Sequence, residues 1–166
     1  QERLAPAMHD GGAEAIRNTG ILMQAAKRLG VPTLVSEQYP HGLGSTVAAL
    51  AELMPADGAC EKLEFACPNN DGFAARLKSL NKKQAVITGM EAHICVLQTA
   101  VKLAEQGIQV FVAADAVASR KKSSMDHALT RISEAGGSII TTEMAVFEWL
   151  EKAGSDDFKV LSKLIQ

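Results

Sequence analysis

The chain has 166 residues, of which 47% are hydrophobic and 22% are charged, and its formal net charge is −2. This length fits one domain, 1–166, with a sizeable core. The absence of a basic excess and the 4% aromatic content argue against a nucleic-acid partner, and no apolar stretch approaches the ~20 residues that span a bilayer. The three cysteines form no CxxC pair and no zinc-type spacing, which favours a cytoplasmic location without a disulfide framework.

The first half of the chain alternates predicted helices and strands. A helix from about Ala13 to Leu29 faces inward with Ile16, Gly20, Met23 and Ala26, and Gly30 closes it. The elements predicted next are a strand at 31–36, a helix from a Ser45 cap to about Leu53, a strand at 61–65 and a helix at 73–80.

Residues 84–104 show the clearest change in the spacing of apolar residues, from a strand-like run to a helical pattern. The apolar run 85–87 is typical of a buried strand, and Gly89 ends it. From Ile94 onward the apolar positions follow helical spacing, on the stripe Ile94, Leu97, Val101 and Ala104.

Cys95 falls in the first helical turn, one residue off that stripe, so its sulfur is predicted to point at the sheet edge. A strand, a glycine turn and a thiol at a helix N-terminus resemble a nucleophile elbow, and the free N–H groups and helix dipole there favour thiolate. The alternative is that Cys95 is a small buried apolar residue, the commoner role of cysteine.

The second half continues the alternation. A strand is predicted at 108–113, ending at Asp115, and is followed by a helix with Met125, Ala128, Leu129 and Ile132 on one face. A strand at 138–140 precedes a helix from a Thr142 cap to Leu150. The last amphipathic segment, 158–165, is expected to pack on the body or on a neighbouring subunit.

This order predicts an α/β fold, a doubly wound and mostly parallel sheet with helices on both faces. Ligands of such sheets bind beyond the carboxyl ends of the strands. The polar candidates that the order places there are residues 37–39, Lys62, the turn 89–95 and Asp115. Spacing alone does not favour a functional role over the alternatives, in which Lys62 is a solvated edge-strand lysine and Asp115 caps a strand end.

Three segments, GMEAHICVLQTA at 89–100, DAVASR at 115–120 and TTE at 141–143, resemble the isochorismatase-like cysteine hydrolase superfamily. The similarity is to its isochorismatase domain-containing branch, related to the nicotinamidases. It runs over essentially the whole chain as one domain, including SEQYP at 36–40 and CEKLEF at 60–65. The resemblance implies a six-stranded, largely parallel sheet.

The resemblance also implies a catalytic Asp, Lys and Cys, with the nucleophile on Cys95 and the lysine on Lys62. It places a cis peptide at Met90–Glu91 and an oxyanion hole in the backbone N–H groups of Glu91 and Cys95. Lys62 is expected to lower the thiol pKa. Tyr39 and Phe65 are expected to form apolar walls of the substrate pocket.

Two departures from the family pattern are visible. Gln1 matches the Gln of an Asp-x-Gln pattern whose Asp, and whose central strand, would precede Gln1; we expect a natural chain longer by roughly 10–25 residues, the strand itself being about 5–6. The Asp-x-His metal pattern of nicotinamidases is absent, so no metal and no cofactor is expected, and His93 and His127 are expected to be structural or exposed.

The predicted function is hydrolysis of a small amide-type or related acyl substrate through a Cys-Lys-Asp triad and a thioester. One alternative is a catalytically idle family member that serves as a binding or scaffold protein. A nucleotide-binding domain is far less favoured because no phosphate-loop motif occurs. The resemblance implies a homo-oligomer, and segment 158–165 is the candidate contact.

Overall fold

Strands and helices alternate along residues 1–165, which are the part of the chain that the structure, a computed structural model, describes. The described strands are β1 Val35–Gln38, β2 Ala59–Lys62, β3 Gln84–Met90, β4 Gln109–Ala118 and β5 Ser138–Ile140. The described α-helices are α1 Ala13–Leu29, α2 Pro40–Leu43, α3 Ala48–Ala51, α4 Asp71–Leu80, α5 Leu97–Glu105, α6 Lys122–Glu134, α7 Thr142–Leu150 and α8 Asp156–Leu161. A π-helical turn, Ala92–Val96, and a 3-10 turn, Cys67–Asn69, matter for the site below.

The strands form two separate parallel sheets. One pairs β1 with β2, and the other has the order β3-β4-β5. The parallel α/β class is therefore confirmed. The described residues form five strands, one strand of the implied six having been expected ahead of Gln1, and these five are divided between two sheets. The physical reason is that no segment of residues 1–165 hydrogen-bonds to both β1 and β3.

Helices cover both faces of the three-stranded sheet, as predicted. Side chains alternate between faces along a strand, and β4 shows this directly. Val110 and Val112 pack with α5 and α6, whereas Ala113 packs with α1, α7 and α8. Val112 and Ala113 are both fully buried, so β4 is the apolar centre of the molecule.

The strand ends differ from the prediction because pairing decides them. β3 and β4 are longer than the apolar runs 85–87 and 108–113 indicate, since the pairing resumes after a bulge with Gly89 opposite Val117 and Met90 opposite Ala118. β1 and β2 are displaced from 31–36 and 61–65, and their register places Gln38 beside Lys62. The carboxyl ends of β1 and β2 therefore lie side by side.

Two of the predicted helix caps are wrong, although the bounds of α1 and its Gly30 terminus are confirmed. The residue before α3 is Val47, with no side-chain cap, so Ser45 does not start that helix. The cap of α7 is Thr141, whose hydroxyl accepts from the Met144 N–H at 3.2 Å. Thr142 is instead engaged with Asp115, as described below.

The C-terminal segment packs on the body of the protein. Leu161 of α8 is 1% exposed and belongs to the cluster between α1 and α7. The Arg28 Nε atom of α1 lies 2.7 Å from the Asp157 carboxylate of α8. Of the two alternatives for residues 158–165, packing on the body is the one observed.

Candidate active site

Cys95 lies in the π-helical turn that follows β3. The Val96 N–H donates to the Glu91 carbonyl at 3.2 Å, five residues back, which widens this turn. Three of the four predicted stripe residues lie on the apolar face: Leu97 is buried, and Val101 and Ala104 pack against the same cluster. Ile94 is half-buried outside that cluster, and the buried apolar positions of the face also include Val96, Ala100 and Leu103. Cys95 itself is half-buried.

The turn into this segment has an unusual backbone. Gly89 has a φ of +118°, a backbone conformation that residues other than glycine rarely adopt. The Met90–Glu91 peptide bond is cis, at the position that the resemblance implies.

Lys62, at the end of β2, is 4% exposed, so the alternative of a solvated edge-strand lysine is wrong. Its Nζ donates to the Gln38 side-chain carbonyl at 2.6 Å, to the Glu64 carbonyl at 3.0 Å and to the Phe65 carbonyl at 3.2 Å. All three acceptors are neutral. Within residues 1–165, no carboxylate lies within ion-pair distance of this ammonium.

The pKa of the Cys95 thiol is raised above its ordinary value because burial disfavours the thiolate. The Lys62 charge acts in the opposite direction and lowers the pKa, as does hydrogen bonding from the Glu91 backbone, whereas the charges of Cys67 and Glu91 raise it. The expected influence of Lys62 is present. The expectation of a net lowered thiol pKa is nevertheless wrong, since burial outweighs the lysine.

Cys67 belongs to the same site, which the sequence did not indicate. Its N–H donates to the Thr99 hydroxyl at 3.0 Å, and Thr99 lies four residues after Cys95 on the adjoining helix. Its sulfur lies 3.4 Å from the Ser36 hydroxyl of β1. The only signal in the sequence is that Cys67 follows Lys62 by five residues, which says nothing about the helix it contacts.

A second group of charges surrounds the carboxylate of Glu91, which is 7% exposed. Arg120 Nε lies 3.0 Å from one oxygen, and His93 Nε2 lies 3.4 Å from the other. His93 Nδ1 contacts the Ser119 hydroxyl at 2.9 Å. The sequence placed the Glu91 backbone in the site but missed this network, because its members come from two separate chain segments.

Tyr39 and Phe65 are joined to Lys62 through hydrogen bonds of their backbone groups. Tyr39 is 51% exposed and Phe65 is 52% exposed, and the Tyr39 N–H donates to the Lys62 carbonyl at 2.9 Å. Leu63, which follows Lys62, is 71% exposed. The contacts of Tyr39 and Phe65 with Lys62 are made by their backbone groups, and the role of their side chains as walls of a substrate pocket stays a prediction.

The remaining acidic candidates have structural partners. Asp115 accepts from the Thr142 N–H at 2.8 Å and from its hydroxyl at 3.0 Å, which ties β4 to the start of α7. Glu37 accepts from the N–H and hydroxyl of Thr46 at 2.6 and 2.7 Å. Asp115 therefore has a capping role, and neither carboxylate contacts Cys95 or Lys62 through these bonds.

Comparison with known proteins identifies relatives over most of the chain. The model of the isochorismatase domain matches residues 1–144. The chain is 35% identical over 155 residues to the "Secreted isochorismatase effector Isc1" of Phytophthora sojae, covering 91% of this chain and 74% of that protein. It is 34% identical over 166 residues to "Isochorismatase domain-containing protein 1" of Danio rerio, covering all of this chain but only 58% of that protein.

Among solved structures, a protein described as MAR1 ribonuclease from Caenorhabditis elegans has the same fold. Its TM-score is 0.91 at 34% sequence identity, and the match covers 99% of this chain and 84% of that one. No helix within residues 1–165 has the length and apolar character needed to cross a membrane.

Proposed function

The chain belongs to the isochorismatase family, and on that premise we propose that it is a cysteine-dependent hydrolase of small amide-type or related acyl substrates. Cys95 is the proposed nucleophile and Lys62 its cationic partner. The third group of the proposed triad is the aspartate implied ahead of Gln1, outside the described residues. The substrate contacts Tyr39 and Phe65.

One observation carries this proposal. The ammonium of Lys62 is only 4% exposed, and its three hydrogen-bond acceptors are neutral oxygens. An uncompensated buried charge is costly, so it persists where the site uses it. Its field already acts on the half-buried Cys95 thiol. A cation of this kind stabilises the thiolate, and any anion that forms beside it, during a reaction.

Because the pKa of Cys95 is raised, the proposed reaction needs a base that removes the thiol proton. The resting thiol is protonated near neutral pH, since burial raises its pKa. Attack therefore requires that the proposed aspartate remove the S–H proton as the sulfur–carbon bond forms. Lys62 then faces the resulting negative charge.

The reaction proceeds in two steps. The sulfur of Cys95 adds to the acyl carbon, the carbonyl oxygen becomes an oxyanion held by the Glu91 and Cys95 N–H groups, and the C–N bond breaks as the amine takes the proton. Water then hydrolyses the thioester and restores the thiol. A vinyl ether such as isochorismate requires protonation rather than nucleophilic attack, so amides and related acyl compounds suit the thiol better.

The test is a screen of small amides and related acyl compounds with the full-length protein, its Cys95→Ala and Cys95→Ser forms, and Cys60→Ala as a matched control. Because one similar structure is described as a ribonuclease, RNA is included in the panel. We expect turnover of an amide-type substrate, lost by at least about a thousandfold in both Cys95 variants and retained in Cys60→Ala. Turnover that survives in Cys95→Ala would disprove the nucleophile.

The alternative proposal is an idle family member that works as a binding or scaffold protein. The raised pKa of Cys95 favours it, since a thiol that stays protonated is a poor nucleophile. An acyl-enzyme adduct on Cys95, seen by mass spectrometry after substrate addition, excludes the idle alternative. Failure of every substrate, together with unreactive Cys95, supports it.

We also propose a cytoplasmic homo-oligomer. The inner side of α8 is used by the body, but Val160 of α8 is 45% exposed and Phe147 of α7 is 40% exposed, which leaves apolar surface for a second copy. Sedimentation velocity of the wild type and of Val160→Glu tests this contact. A wild-type monomer at micromolar concentration contradicts it.

A further inference from the structure

A cavity of about 250 Å³, which we call the α6 cavity, lies between α6 and the start of α5. Its lining residues are His93, Leu97, Ser124, His127, Ala128 and Arg131. Cys95, Lys62, Tyr39 and Phe65 do not line this cavity, although His93, which contacts the Glu91 carboxylate of the candidate active site, does.

The polar lining comes largely from one face of α6. Ser124, His127 and Arg131 are spaced by three and four residues, which places them in a row along a helix. Leu97 and Ala128, 5% and 1% exposed, form the apolar floor between this row and His93. A row of donors over an apolar floor is the usual composition of a small-ligand site.

The three side chains of the row have no protein partner. Within residues 1–165, the side chains of Ser124, His127 and Arg131 take part in none of the hydrogen bonds or ion pairs. Their neighbour Lys122, by contrast, pairs with Asp126 at 2.8 Å. Within residues 1–165, the exposed guanidinium of Arg131 therefore has no hydrogen-bond or ion-pair partner beside the cavity.

Two carboxylates near the cavity, Glu91 and Asp126, are paired with basic side chains. His93 is held by Ser119 and lies 3.4 Å from the Glu91 carboxylate, and Arg120 binds that carboxylate at 3.0 Å. Asp126 is occupied by Lys122, whereas Glu134, three residues after Arg131 on α6, takes part in no ion pair within residues 1–165. Among the lining residues themselves, the permanent charge is the positive one of Arg131.

We propose that the α6 cavity binds a small molecule that carries an oxyanion, either a carboxylate or a phosphate. Arg131 binds the oxyanion through its planar fork, and His127 and Ser124 supply further hydrogen bonds. The apolar part of the ligand rests on Leu97 and Ala128. The volume is below the ~300–1,000 Å³ of drug-sized pockets, so the ligand is a compact one.

The experiment is an NMR titration of the ¹⁵N-labelled protein at constant ionic strength. The probes are benzoate and phenyl phosphate, which separate the two oxyanions, benzyl alcohol as the uncharged counterpart, and a short single-stranded RNA. The variants are Arg131→Gln and His127→Gln, with Arg17→Gln as the control, because Arg17 is an exposed arginine of α1 that loses the same charge. Every titration is repeated in the Cys95→Ala background.

We expect saturable shifts of the His93, Ser124, His127 and Arg131 amides with benzoate or phenyl phosphate. The affinity should fall at least about tenfold in Arg131→Gln, less in His127→Gln and not in Arg17→Gln. It should be unchanged in Cys95→Ala, which keeps this result independent of the proposed hydrolase. Non-saturable shifts, equal binding of benzyl alcohol, equal loss in Arg17→Gln, or binding of the RNA alone would each overturn the proposal.

Discussion

Two buried charged groups lie at the carboxyl ends of β2 and β3, which belong to separate sheets, and their charges are compensated differently. The Glu91 carboxylate, just after β3, is 7% exposed and is matched by Arg120 and His93. The Lys62 ammonium, at the end of β2, is 4% exposed, its three hydrogen-bond acceptors are neutral oxygens, and within residues 1–165 no carboxylate lies at ion-pair distance from it. The burial is similar, but the compensation is not.

This difference in compensation distinguishes a structural role from a role in the proposed reaction. A buried charge with a countercharge holds two segments in place, and removing one partner is costly. A buried charge that has only dipoles around it keeps its field available for another group. We therefore assign Glu91 to the support of the turn that carries Cys95, and Lys62 to the proposed reaction.

The largest effect is expected from Lys62→Met, which removes the uncompensated charge at similar volume. Activity should fall at least about a hundredfold, because the thiolate and the oxyanion lose their cation. The pKa of Cys95 should rise further, as the lowering influence of Lys62 is lost. Lys27→Met, an exposed lysine of α1, is the control. A Cys95 alkylation profile across pH that is identical to the wild type would contradict the role of Lys62.

The opposite pattern is expected from Arg120→Gln, which leaves Glu91 buried beside His93 alone. The free energy of unfolding should fall by about 1–2 kcal/mol, a value kept low because Arg120 is itself 56% exposed. Urea denaturation measures it, and Arg17→Gln should stay within about 0.5 kcal/mol of the wild type. Equal stability of the two variants would show that Glu91 does not need its countercharge.

Asp115→Ala tests a third group, a carboxylate that accepts hydrogen bonds from the neutral N–H and hydroxyl of Thr142. It removes two hydrogen bonds at the start of α7, so unfolding should become easier by about 1 kcal/mol. Cys95 alkylation should not change, since Asp115 is not among the charges that act on that thiol. A shifted alkylation profile would bring Asp115 into the active site.

The smallest effect is expected from Cys67→Ser. The pKa of Cys95 should decrease, because the charge of Cys67 raises it in the wild type. A lower pKa means a larger thiolate fraction at neutral pH, hence faster alkylation by iodoacetamide there. Peptide mass spectrometry of Cys95 across pH gives the profile, and a slower reaction in Cys67→Ser would reverse the assigned sign.

Much of the fold follows from local patterns. The bounds of α1, the Gly30 terminus, β5 and the helices on both sheet faces are confirmed, since each depends on residue spacing and backbone freedom near in sequence. The expected family is confirmed as well. The single-domain boundary and the catalytic roles of Cys95 and Lys62 stay predictions.

The features that were wrong depend on distant partners. The lengths of β3 and β4 follow from their mutual pairing, and the cap of α7 moves to Thr141 because Asp115 occupies Thr142. The direction in which the pKa of Cys95 shifts depends on burial, which no local sequence pattern predicts. The networks at Cys67 and Glu91 join residues 29 to 32 positions apart.

The sequence by itself determined which segments are helices and strands, which family they build and which thiol follows the central turn, because periodicity, glycine placement and motif spacing are written in adjacent residues. Only the tertiary structure decided that Lys62 is buried with neutral hydrogen-bond acceptors, that burial raises the pKa of Cys95, and that Arg131 beside the cavity has no ion-pair partner within residues 1–165. Each of these properties depends on the groups that folding brings close in space. Electrostatic and desolvation energies follow from those distances and from burial, and not from the order of residues along the chain.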